Sequence, residues 1–318
     1  MRAFLATAYG SPGVLVLADV PTPTIKDDEV LVRIRATSVT SGDARMRAFN
    51  VPKGFRLIGR LVMGISKLRQ PILGAEMAGD VVAVGKAVTR FAVGDRVFGL
   101  PVTGCHAEYR AVRATGPIAR IPDGVSYEDA AALPFGATTA LSFLTRSKLQ
   151  RGDTLLVNGA SGTVGAATLQ LAQSMGIETV AVCSGPNHEL VLSLGARRAV
   201  DYREAALFAA GDAYDGVMDT VGNLSLAAVA PYLTAKGVFL GVVGMPGPAD
   251  LPHQLGGKRV VGGMAVGSAA LMEKVAGLAA AGSLKAVIGQ RFAFADLPAA
   301  HTYVDGGHKV GAAVVAVA

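Results

Sequence analysis

Residues 155–176 read "LLVNGASGTVGAATLQLAQSMG". An apolar run gives way to Gly159, Gly162 and Gly165, and then to a stretch with helical spacing. A turn that merely joins a strand to a helix would tolerate such glycines. A backbone that must approach a bulky anion would require them. Ala160, Ser161, Gly162, Thr163, Val164 and Gly165 form an A-x-G-x-x-G variant of the dinucleotide fingerprint. It stands between a strand pattern and a helix pattern, the setting in which that motif carries weight. Gly162 lets the backbone reach a pyrophosphate at the helix start, where unpaired N–H groups point outward. Gly165 permits close helix–strand packing.

Downstream, the same rhythm repeats. The helix is expected to carry Val164, Ala167, Leu171 and Met175 on one face. "ETVAVCS" reads as a strand, "NHELVLSLG" as a helix and "RRAVDY" as a strand, and "YDGVMDTVG" and "GVFLGVVG" continue the series. Strands alternating with helices at this spacing predict an α/β fold with a doubly wound parallel sheet. A dinucleotide site that prefers NAD usually places Asp or Glu about 20 residues beyond the glycines, on the ribose 2′-hydroxyl. Here the second strand ends at Cys183-Ser184 without an acid. A carboxylate would repel a 2′-phosphate, so its absence favours NADP(H), with Ser184, Asn187 and Tyr202 as phosphate partners. Arg197, Arg198 and Arg203 are further sources of charge. One charge-assisted hydrogen bond is worth roughly 1.5–3 kcal/mol, about 10- to 100-fold in affinity.

Upstream, the first third reads as short strands and turns. "EVLVRIRATSV" has the alternation of a half-buried strand, and "GDVVAVGKAV" and "VGDRVFGL" are further strands punctuated by glycine. A helix is expected near 269–281 and a final strand in "GAAVVAVA". The whole chain of 318 residues is 51% hydrophobic and 17% charged, with 40 glycines, which suits a two-domain enzyme. No stretch offers the roughly 18 unbroken apolar residues of a spanning helix. The opening "MRAFLATAYGSPG" lacks a signal-peptide pattern, and a cytoplasmic protein is expected. Cys105 and Cys183 are too few for a disulfide framework.

The net charge of +6 is spread along the chain except in 44–70. That segment carries Arg45, Arg47, Lys53, Arg56, Arg60, Lys67 and Arg69 and no acid. It reads as a lid or subunit contact, or as a basic amphipathic segment against an anionic surface. Nucleic acid is not expected as a partner.

"PILGAEMAGDVVAVGKAVTRFAVGDRVFG", "HAEY", "NGASGTVG", "VDYRE" and "DTVG" together resemble the medium-chain dehydrogenase/reductase superfamily. They are most similar to its zinc-independent quinone oxidoreductase branch, which includes zeta-crystallin. The resemblance implies a GroES-like β-rich catalytic domain over 1–124, a Rossmann NADP(H)-binding domain over 125–265, and a segment, 266–318, that returns to the first domain. It implies a homodimer and no metal. The zinc-ligand positions of metal-dependent relatives fall at Thr40, Ala75 and "LPFGATTA", which supply no Cys or His. His106, His188, His253, His301 and His308 are expected at the surface or behind the site.

By the same resemblance, Thr139 approaches the nicotinamide or its phosphate. Val221-Gly222 and Val243-Gly244 line the nicotinamide ribose and carboxamide. Thr40, Ser41, Asp43 and Arg47 occupy a loop facing the substrate. Asp43 is either an acid or a cap on a turn or helix. Solvent or a cofactor hydroxyl is the other proton source, and Tyr109 reads as packing. A basic residue near Pro186 and a Gly-Lys pair near Gly311-Ala312, frequent in relatives, are missing. The implied activity is NADPH-dependent reduction of a quinone or an α,β-unsaturated carbonyl. The alternative is a non-catalytic NADPH-binding regulatory or scaffold protein.

Overall fold

A computed structural model describes residues 1–51, 56–243, 254 and 257–317. The chain forms two compact units, one from 1–135 with 267–318 and the other from 136–266.

The first unit begins with a hairpin of β1 (Arg2–Ala6) and β2 (Leu15–Asp19). Its main sheet is built around β3 (Glu29–Val39), flanked by β4 (Met77–Val84) and β6 (Tyr109–Arg113), with β5 (Arg96–Gly99) and β7 (Ile118–Arg120) beyond β4. Alternation in β3 buries Val30, Val32, Ile34 and Ala36 and leaves Arg33 and Arg35 half-buried, as the period of two predicts. Between β3 and β4 lie α1 (Ser41–Ala48) and α2 (Arg56–Met63). The short α3 (Tyr127–Ala131) follows β7, and α4 (Pro134–Ser147) leads into the second unit.

The second unit carries β8 (Thr154–Asn158), α5 (Thr163–Met175), β9 (Glu178–Cys183), α6 (His188–Ser193), β10 (Arg198–Asp201), β11 (Tyr214–Asp219), α7 (Leu226–Val229), β12 (Leu233–Gly241) and β13 (Arg259–Val261). Among the described residues all its strand pairings are parallel, in the order β10-β9-β8-β11-β12-β13. The order reverses at β8, so the strand ends beside it form the switch point where such sheets bind ligands. Leu156, Val180, Val182, Val217 and Phe239 form its core.

One expectation for α5 needs correction. The helix buries every residue from Val164 to Ala172 instead of one face, while Met175 is exposed. Neighbours crowd its start: a Cβ on Gly136 would meet the Thr163 carbonyl oxygen at 2.6 Å.

The chain then returns to the first unit through α8 (Ala269–Ala280), β14 (Ile288–Ala293), α9 (Leu297–Asp305) and β15 (Ala312–Ala316). β15 pairs antiparallel with β3 and parallel with β14, placing Ala313 and Val315 in the same core as Val30, Val32 and Ile34. Among the described residues no helix is long and apolar enough to cross a membrane.

Candidate active site

The turn after β8 has the geometry of an anion cradle. Gly159 has φ +78°, and a Cβ there would lie 2.4 Å from the Thr220 hydroxyl oxygen. Gly165 packs the helix onto the turn, because its Cβ would stand 2.3 Å from the Gly159 carbonyl oxygen. Gly162 is the N-cap of α5 and provides no side-chain cap. A Cβ there would meet only the Gly159 oxygen, at 3.3 Å, which leaves its approach side open. An α-helix start without a side-chain acceptor favours an anion. Ala160 is fully buried beneath the turn, and Ser161, Thr163 and Val164 complete it.

Neighbouring strand ends bring the remaining predicted residues to this edge. The Asn187 amide donates to Ser161 Oγ at 3.3 Å and to Ser184 Oγ at 3.0 Å. Pairing of Cys183 with Asp201 sets Tyr202 beside them, and its amide donates to the Cys183 carbonyl. The three arginines divide. Arg197 pairs with Glu178 and Arg198 donates to the Tyr214 hydroxyl, whereas exposed Arg203 lies with its guanidinium 5.6 Å from the Tyr202 ring centre.

Asp201 is an acid that the reading of the second strand does not include. It lies at the end of β10 and accepts from the Gly185 amide at 2.6 Å and the Arg203 amide at 2.9 Å. The Arg203 amide, ahead of that of Gly185, holds its carboxyl below the usual range.

At the end of β11, the buried Asp219 carboxylate accepts from the amides of Val221, Gly222 and Leu224 and from Asn158 Nδ2. This fixes the turn carrying Val221 and Gly222. Gly222 has φ +93°, and a Cβ there would fall 2.6 Å from Val243 Cγ1, so these residues converge. Thr139 is buried one turn after Gly136, whose position abuts the start of α5. Gly244 lies outside the described residues.

In the first unit, Thr40 and Asp43 form a reciprocal capping box on α1, not an open loop. Asp43 Oδ2 accepts from the Thr40 amide at 2.8 Å and its hydroxyl at 2.7 Å, while Oδ1 accepts from the Gly74 amide at 3.1 Å. The loop expectation fails for Arg47 as well. Arg47 is buried, grips Asp305 in α9 with two bonds of 2.6 and 2.7 Å, and donates to the Gly10 carbonyl.

Beside this cap lies a buried polar cluster. Glu76 accepts from the Ser38 hydroxyl through Oε2 and from the Phe135 amide through Oε1 at 2.6 Å. Burial raises its carboxyl to about 7; hydrogen bonds from Ser38 and Phe135 oppose the shift, and the Asp43 charge adds to it. Lys309 is pulled down to about 8 by burial, with Glu76 opposing. His106 and His301 are fully buried, and their rings meet edge to face at 5.3 Å. Of the two placements expected for them, burial removes the surface one. A Cβ on Gly74 would lie 2.5 Å from the His106 ring, so the ring fills the space a side chain would need. His253 lies outside the described residues. The Glu of "GAE" was the available sign of this cluster, but nothing in the local pattern showed that Ser38, Phe135 and Lys309 converge on it.

Cys105 and Cys183 are both buried, and burial pushes both thiols up, that of Cys183 to about 11. Among the described residues no group of three or more His, Cys, Asp or Glu is arranged to hold a metal ion.

Comparison with known proteins adds the following. Residues 26–123 match the alcohol dehydrogenase GroES-like domain, and residues 194–315 match a family described as zinc-binding dehydrogenase. The chain is 30% identical to a quinone oxidoreductase of Pseudomonas aeruginosa, with 97% of each chain covered. It is also 30% identical to a chloroplastic NADPH-dependent alkenal/one oxidoreductase of Arabidopsis thaliana, covering 99% of this chain and 79% of that one. The solved quinone oxidoreductase from Coxiella burnetii superposes with a TM-score of 0.88 at 25% identity, over 100% of this chain and 99% of the other.

Proposed function

Given that this chain belongs to the medium-chain dehydrogenase/reductase superfamily, with quinone oxidoreductases among its relatives, we propose that it reduces a quinone or an α,β-unsaturated carbonyl with NADPH. The observation that carries this reading is the cradle at Gly162, with Ser161, Ser184 and Asn187 hydrogen-bonded together at its rim. In it, the start of α5 holds the diphosphate. Ser161, Ser184, Asn187, Tyr202 and Arg203 take the 2′-phosphate. Thr139, Val221, Gly222, Val243 and Gly244 receive the nicotinamide half. The bound cofactor supplies a hydride, and conjugation in the acceptor carries the arriving charge to a carbonyl oxygen.

The zinc positions do not fit a metal. Thr40, Ala75 and residues 133–140 offer no Cys or His, so no step is assigned to a Lewis acid. Thr40 and Asp43 act here as a positioning pair. The Thr40 hydroxyl already donates to Asp43, whose oxygens serve the cap and Gly74, so solvent provides the proton that completes reduction. In domain terms, the unit of 136–266 is the cofactor domain and that of 1–135 with 267–318 the catalytic one, which moves the first boundary from the expected 125 to 136. The enzyme is a homodimer in this reading.

Fluorescence titration with NADPH and NADH, followed by turnover across quinones and enones, tests the proposal. Binding of NADPH about 10-fold or more tighter than NADH, with turnover of an acceptor, is expected. Absence of binding overturns the whole reading, and tight binding without turnover leaves the non-catalytic alternative.

A further inference from the structure

Helix α2 shows the wrong face to water. Gly59 turns inward, its Cβ position 3.4 Å from Phe49 Cζ and 3.6 Å from Val51 Cγ2, and Met63 packs against the core. The Arg60 guanidinium also turns back over the protein, 4.1 Å from the Phe49 ring centre and 4.7 Å from that of Tyr9, and donates to the Ile65 carbonyl. The Tyr9 hydroxyl donates to Gly64 O at 2.8 Å, fastening the helix end.

The outward face is aliphatic. Leu57 is 76% exposed, Ile58 58%, Leu61 56%, Val62 67% and Ile65 71%. Leu57, Ile58, Leu61 and Val62 recur at i, i+1, i+4 and i+5 and make one stripe along the helix, and exposed Ile65 follows just beyond its end. Single exposed apolar side chains are ordinary on a soluble protein, but a contiguous stripe marks an interaction site.

Charge indicates what covers it. Lys67 and Arg69 follow the stripe directly, both exposed, with Leu68 buried between them as their anchor. Residues 44–70 contain no acid. We propose that this stripe, together with Lys67 and Arg69, docks the protein on an anionic lipid membrane surface. The aliphatic side chains would enter the headgroup–acyl boundary and the cations would sit among lipid phosphates. A second copy of the chain fits less well: across a two-fold interface the stripe would face itself, bringing Lys67 and Arg69 of both copies together, and residues 44–70 supply no acid to meet them.

Co-sedimentation of the full chain with phosphatidylcholine vesicles, and with vesicles of equal parts phosphatidylcholine and phosphatidylglycerol, tests this without cofactor or acceptor. Its failure therefore leaves the reductase reading standing. Binding to the anionic vesicles, weakened by salt, is expected. Leu61→Asp with Val62→Asp, and separately Lys67→Glu with Arg69→Glu, should each lower the vesicle affinity about 10-fold or more. These side chains are exposed, and an unchanged thermal midpoint verifies folding. No vesicle binding by the unaltered protein overturns the proposal, as does equal binding by all variants. An oligomer abolished by the aspartate variant, without vesicle binding, assigns the stripe to a second copy and overturns it too.

Discussion

Glu76 and Asp43 are both buried carboxyls, each held by its own set of donors. Asp43 is held by the Thr40 amide and hydroxyl and by the Gly74 amide. Replacing it with Ala leaves buried donors unmatched and unravels a cap, and should cost roughly 2–4 kcal/mol by denaturant unfolding. Glu76 is raised from 4.5 to about 7, chiefly by burial. The native state thus keeps a proton that the unfolded chain releases above its lower pKa. Stability from this group is fully present below about pH 4.5 and is lost as pH rises through about 7, by up to about 3 kcal/mol. Thermal midpoints of a Glu76→Gln variant should therefore fall less between pH 5 and 7.5 than those of the parent. The capping alternative for Asp43 was legible in "TSGD", because Thr and Asp three apart satisfy each other locally. The environment of Glu76 was not, because residues 38, 135 and 309 meet it only through the fold.

At the level of elements, the β8–turn–α5 passage was readable because each glycine answers a local demand. Gly165 makes the sharpest prediction. A methyl group there meets the Gly159 carbonyl at 2.3 Å and Ala160 Cα at 2.6 Å, both backbone atoms that cannot swing away. Gly165→Ala should separate α5 from β8, weaken NADPH binding at least about 10-fold in a fluorescence titration and lower stability by about 1–3 kcal/mol. Helix α2 was harder to read. Its apolar period is plain, but periodicity does not say which face meets the protein. Here Gly59 and Arg60 settle on Phe49 and send the aliphatic side outward. The all-round burial of α5 was hidden for a similar reason, since Ala and Gly report little about how many neighbours a helix has.

For the whole molecule, the last strand ties the chain's end to its first third. β15 lies between β3 and β14, with Ala313, Val314 and Val315 fully buried. Deleting 312–318 exposes the flank of β3 and opens the core, so the truncated protein should lose cooperative unfolding of the first unit in calorimetry. The return of the chain was foreseeable from family likeness, but its strand register was not, because pairing partners some 270 residues apart leave no local mark.

The chain has only two sulfhydryl groups, Cys105 and Cys183, and both are enclosed and hard to ionise. Thiolate is the form that adds to conjugated electrophiles. If its acceptors are the quinones or enones proposed above, which are themselves alkylating agents, the protein is thereby shielded from its own substrates. Maleimide labelling should be negligible while the protein is native and rise to both sites once urea opens it.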